Sequence, residues 1–159
     1  MEAAIRWARL VLAAVVVLVA APAWADFEAG WEAAERGDYA TALKELRPLA
    51  EQGVAKAQTA LGLLYHIGRG VPQDSIEAVR WFRMAAEQGN APGQTGLGGM
   101  YFYGRGVPQD DVLAQMWVNL AAAQGNELAR MIRDLLAEMM TPAQLAEAQR
   151  LAREWKPKQ

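Results

Sequence analysis

A chain of 159 residues with 53% hydrophobic and 21% charged side chains carries enough apolar material for a packed core, which excludes a disordered polymer. Its formal net charge of −2 gives no electrostatic basis for holding nucleic acid, and Lys156 and Lys158 are its only basic tail. With no cysteine, disulfides, thiolate metal sites and thiol catalysis are excluded, so stability has to come from packing.

Residues 1–25 have the pattern of an export signal. Arg6 and Arg9 supply a positive start, Leu10–Ala21 is an uninterrupted apolar run, and Ala23-Trp24-Ala25 fits the small-x-small cleavage rule. As a helix the run spans about 18 Å, short of the roughly 30 Å hydrocarbon core, which favours cleavage before Asp26 over an uncleaved anchor. The mature chain would then have no stable membrane span and would work outside the cytoplasm, in a bacterial periplasm.

Residues 26–53 predict a helical hairpin, Phe27–Arg36 and Tyr39–Gln52, joined by Gly37-Asp38. A 36-residue period follows: Ala55–Asn90 and Ala91–Asn126 share 20 identical positions, which marks stacked supersecondary units. We place these units at residues 54–89 and 90–125. In the first, Ala57, Ala60, Leu61, Leu64 and Tyr65 fall on one helical face. Gly68 and Gly70 end that helix and Pro72 blocks its continuation. Asp74 is placed to cap the next helix, with Glu77 completing a capping box; Ala78, Trp81, Phe82, Ala85 and Ala86 form its buried face. Gly62 and the alanines should let neighbouring helices close in beside the tryptophan. Residues 126–159 predict a capping helix pair, Glu127–Met140 and Pro142–Trp155, the second opened by a capping box at Thr141 and Gln144.

The shared pattern Ala-x3-Leu-Gly-x2-Tyr-x2-Gly-x-Gly-Val, followed by Asp, Ala, Trp, Ala-Ala and Gly, runs from Ala57 to Gly89. It recurs 36 residues on, with Gly93 for the first alanine. These residues resemble the Sel-one-like repeat family, a relative of the tetratricopeptide repeats. Residues 26–53, with Gly37-Asp38-Tyr39 and Ala42-Leu43, look like a plain tetratricopeptide hairpin. The resemblance implies an all-α fold, an α/α superhelical solenoid of helix–turn–helix repeats whose concave surface holds partners. It also implies an exported adaptor or regulator. Some cysteine-rich members of the family have been credited with β-lactamase-type activity, and this chain lacks those cysteines.

Competing chemistry is thinly supported. The Gly-x-Gly pairs at 68/70 and 104/106 resemble phosphate loops, but a helix precedes them and a proline follows. His66 is the sole histidine and Ser75 the sole serine, so a multi-histidine metal site cannot form within one chain. A serine–histidine pair would have to meet across a tight turn. The acidic residues, among them Glu32, Glu35, Glu45 and Glu77, are spread along helix surfaces. No catalytic residue, cofactor or metal is expected. The informative positions are those where the two units differ: Leu63/Gly99, His66/Phe102 and Ile67/Tyr103. Together with Thr59 and Thr95 they nominate Thr59, Leu63, His66, Thr95, Phe102 and Tyr103 as a face for a protein or peptide partner. A cell-wall hydrolase, which would need two inward carboxylates about 5–10 Å apart, is one alternative, and a structural subunit of an envelope or polysaccharide-secretion complex is another.

Overall fold

The computed structural model describes residues 23–158, and among them every regular element is helical. Eight helices of thirteen residues each follow in order: α1 Ala23–Glu35, α2 Tyr39–Glu51, α3 Ala55–Ile67, α4 Ser75–Glu87, α5 Ala91–Tyr103, α6 Asp111–Ala123, α7 Glu127–Met139 and α8 Pro142–Glu154. The expected export signal lies outside the described residues up to position 22, and α1 begins at the first alanine of the expected cleavage triplet.

Local chemistry sets these boundaries. Asp38, Asp74, Asp110, Asn90 and Asn126 each accept a backbone N–H of the helix they open, satisfying donors that have no intrahelical partner. Thr141 and Gln144 form the complete capping box at α8. At α4 only the Asp74 half is present, because the Glu77 carboxylate pairs with Arg80 at 3.3 Å instead. Gly68 and Gly104 close α3 and α5 in the left-handed region, at φ +68° and +61°. Gly106 is required for a second reason: a Cβ there would stand 2.2 Å from the Ser75 carbonyl oxygen.

Helices α1/α2, α3/α4 and α5/α6 form hairpins, and each hairpin stacks on the next through its second helix: α2 on α3, α4 on α5, α6 on α7. The first helices α1, α3 and α5 touch in succession, whereas the second helices of neighbouring hairpins barely meet. The first helices therefore line the inner, concave side of the stack. Three buried clusters run along it, with Trp81 in the first and Trp117 in the second. The residue wedged between glycines is Phe82 rather than a tryptophan. Cβ atoms added at Gly62 and Gly96 would meet its ring at 2.7 and 2.8 Å, so both glycines make room for one phenyl group from facing helices.

Two features were not anticipated. Gln58 and Gln94 are buried. Gln58 donates to the Ala50 carbonyl at 3.1 Å and accepts from Gln88 at 2.8 Å. Gln94 repeats this with Ala86 at 3.3 Å and Gln124 at 2.9 Å. A glutamine within a helix suggests an exposed face, yet its identity in both units was the available sign. Second, α7 and α8 do not pack as a hairpin: both lie on α6 and hardly touch each other, with Trp155 edge-on to Trp117 at 6.0 Å between ring centres.

A concave apolar groove

The first helices place a groove of about 390 Å³ on the concave side. Trp31 of α1, Leu63 of α3, Tyr103 of α5, and Leu128 and Ile132 of α7 supply its apolar walls. The connector between α1 and α2 lacks the Arg-Gly-Val-Pro insertion, so α1 ends at Glu35, 32 rather than 36 residues before the end of α3. In that register Trp31, Leu63, Gly99 and Leu135 are equivalent, as are Ile67, Tyr103 and Met139. Among the described residues, every large apolar side chain with substantial exposure lies on α1, α3, α5 or α7, Ile76 excepted; they are Trp31, Leu63, Ile67, Tyr103, Leu128, Met131, Leu135 and Met139. Scattered exposed apolar residues are ordinary, but a row of them along one face marks an interaction surface.

Of the residues nominated from the sequence, Thr59, Leu63, His66, Thr95 and Tyr103 all line the groove. Thr59 and Thr95 commit their hydroxyls to the Ala55 and Ala91 carbonyls at 3.0 and 2.9 Å. Tyr103 is 66% exposed, with the Arg105 guanidinium over its ring at 5.4 Å. Phe102 sits elsewhere: half-buried against the third core cluster, it meets Tyr103 edge-on at 4.8 Å. Its divergence from His66 fits it to the following helices, whereas that of Tyr103 from Ile67 changes the groove.

Gly99 is a notch in the wall. A Cβ added there meets nothing within 4 Å, in contrast to Gly96 and Gly98 on the same helix and Gly62 on α3. His66 and Arg105 are the basic groups lining the groove, and none of the described residues that line it is a carboxylate. Burial, and secondarily the Arg105 charge, push the His66 imidazole below its ordinary range, and its Nδ1 is buried without a hydrogen-bond partner. A neutral imidazole suits an apolar occupant.

Trp31, Leu128 and Ile132 of the groove, and the exposed apolar stripe beside it on α7, escaped sequence reasoning. Trp31 is hidden by the 32-residue register of α1. Leu128, Ile132 and the stripe Met131, Leu135 and Met139 lie in a segment expected only to cap the stack. Their spacing of three and four residues was the available signal.

The architecture is an α/α solenoid of helical hairpins. Residues 55–90 and 91–126 each match the family model of the Sel1 repeat. A solved Sel1 repeat protein from Oxalobacter formigenes is similar at 37% identity and a TM-score of 0.63, over 70% of this chain and 87% of that one. The chain also resembles c5321, a protective antigen present in uropathogenic Escherichia coli strains displaying an SLR fold. That match has 31% identity and a TM-score of 0.80 and covers 85% of this chain, which spans 30% of c5321's length. No curated protein matches the sequence. This chain belongs to the Sel1 repeat family. Proteins of this family generally mediate protein–protein interaction, and their repeat scaffold is typically non-catalytic.

Proposed function

We propose that this protein is an exported adaptor that captures an apolar segment of a partner protein along its concave groove. The observation that carries this reading is the row of exposed apolar side chains from Trp31 to Met139 on α1, α3, α5 and α7. Apolar and aromatic anchors around a notch at Gly99 suit a protruding side chain of the partner, as at protein interaction hot spots. A groove wall without carboxylates favours capture over glycoside hydrolysis, which would require acidic groups converging on a bond. Export rests on Arg6, Arg9, the Leu10–Ala21 run and Ala23-Trp24-Ala25. Among the described residues no helix is long and apolar enough to cross a membrane.

Two measurements test the proposal. Intact-mass analysis of protein recovered from the periplasm should give a chain starting at Asp26; a full-length chain from Met1 in the membrane fraction refutes cleavage. Photo-crosslinking from position 63 or 103 in native envelopes should join the protein to one partner, and crosslinks that form equally well from the outer helices refute the groove.

A further inference from the structure

The last part of the stack departs from the repeat in a coordinated way. In the first two units an arginine of the second helix of one hairpin reaches a tyrosine of the next: Arg47 donates to the Tyr65 hydroxyl at 3.3 Å, and Arg83 to that of Tyr101 at 2.9 Å. Thirty-six residues on, the pair has become Asn119 and Ala137. Leu61 and Leu97, both fully buried, are followed by Arg133. Val79, a core residue, is followed by Gln115. Each of these changes replaces an apolar or bridging side chain at one place, between α6 and α7. Because α8 leans on α6 rather than on α7, that place stays open as a cleft of about 480 Å³, within the range of small-ligand sites. It shares no residue with the concave groove.

Gln115 lines this cleft while only 3% exposed, and its side-chain oxygen is buried with no hydrogen-bond partner. An unpaired buried acceptor destabilises a fold, and Val79 shows that the repeat takes an aliphatic side chain at this position. The walls add Asn119 from α6, Arg133 and the carboxylate of Asp134 from α7, and Gln149 and Arg153 from α8. Arg133 pairs with its chain neighbour Asp134 at 2.8 Å, and Arg153 has no ion-pair partner among the described residues. The wall of the cleft thus holds a buried amide oxygen without a partner, and beside it Arg153 is a guanidinium without an ion-pair partner among the described residues.

We propose that the cleft between α6, α7 and α8 binds a carboxylate that carries an adjacent amide N–H, the chemistry of a peptide carboxy-terminus. The amide N–H donates to the Gln115 oxygen, which reaches it by a small turn of the side chain. The carboxylate takes the Arg153 guanidinium, a charge-assisted contact that a neutral amide end cannot replace. The same chemistry is offered by the end of a protein chain and by a free short peptide.

The test is an NMR titration of the full folded chain with N-acetyl-dialanine, alongside its carboxamide counterpart. The free acid should shift the side-chain signals of Gln115 and Arg153 with a dissociation constant on the order of 1 mM, as for a ligand of this size. The carboxamide should bind at least about tenfold more weakly, the loss of one charge-assisted hydrogen bond. Arg153→Gln, at an exposed site, should erase that preference. Gln115→Val should abolish binding with an unchanged or higher melting temperature, since it restores the residue of the preceding unit. A ten-residue peptide ending in the same dipeptide separates the sources: much tighter binding assigns the site to protein chain ends, and equal binding assigns it to free peptides. No shift at 10 mM, equal affinity for acid and carboxamide, or a Gln115→Val variant that binds normally overturns the proposal.

Discussion

Filling the notch at Gly99 is the sharpest test of the concave groove, because folding and binding are expected to move in opposite directions. Gly99 lies inside α5, and a Cβ there meets nothing within 4 Å. Replacing a glycine in a helix interior by alanine gains about 0.5–1 kcal/mol, through the conformational freedom the unfolded chain loses. For a chain of this size that raises the melting temperature by about 2–5 °C. Gly99→Leu keeps most of this gain and places an isobutyl group between Leu63 and Tyr103, where the partner's side chain would insert. Capture should then weaken by about 10–100-fold, the loss of one well-seated anchor worth about 1.4–2.8 kcal/mol. Gly96→Ala is the control, since its Cβ would lie 2.8 Å from the Phe82 ring and overpacking costs about 1–3 kcal/mol. Thermal unfolding and quantitative crosslinking of the partner on the same preparations decide the matter. A Gly99→Ala variant that melts lower, or a Gly99→Leu variant that captures its partner normally, refutes the notch.

Trp81→Ala and Trp117→Ala should each lose about 3–5 kcal/mol in urea unfolding, because both indoles are more than nine-tenths buried; a loss under about 1 kcal/mol contradicts their place in the core. Tyr103→Ala should weaken capture while changing stability by under about 1 kcal/mol. Phe102→Ala should do the reverse, costing about 1–3 kcal/mol of stability for a half-buried ring, as chemical unfolding and capture of both variants will show. His66 adds a pH dependence. Its folded-state pKa is depressed, chiefly by burial, so the unfolded chain binds the extra proton first as pH falls. Its contribution is complete above about pH 6.5 and declines below it. His66→Gln should flatten the loss of stability between pH 7 and 5, and an unchanged profile contradicts a desolvated imidazole.

The repeat, its helices and most of their ends were legible in the sequence because they depend on neighbours in the chain. Aspartate caps, glycine stops, the proline after the connector and the apolar periodicity act over a few residues, and two copies in one chain doubled each signal. Leu63, His66 and Tyr103, which line the groove, stood out because the two copies differ at those positions; Thr59 and Thr95, identical in both copies, followed only from their helical spacing. What depends on distant elements was not legible. Phe102 and Tyr103 are adjacent and both aromatic, and only the position of the third cluster decides that one packs inward while the other faces the groove. The burial of Gln58 and Gln94 follows from carbonyls that the preceding hairpin presents. The sequence by itself determined that hairpins form and stack. Tertiary structure alone decided that α8 leans on α6 rather than pairing with α7, since that choice balances the fit of Trp155 on Trp117 against an α7 whose leucine and tyrosine positions hold Arg133 and Ala137.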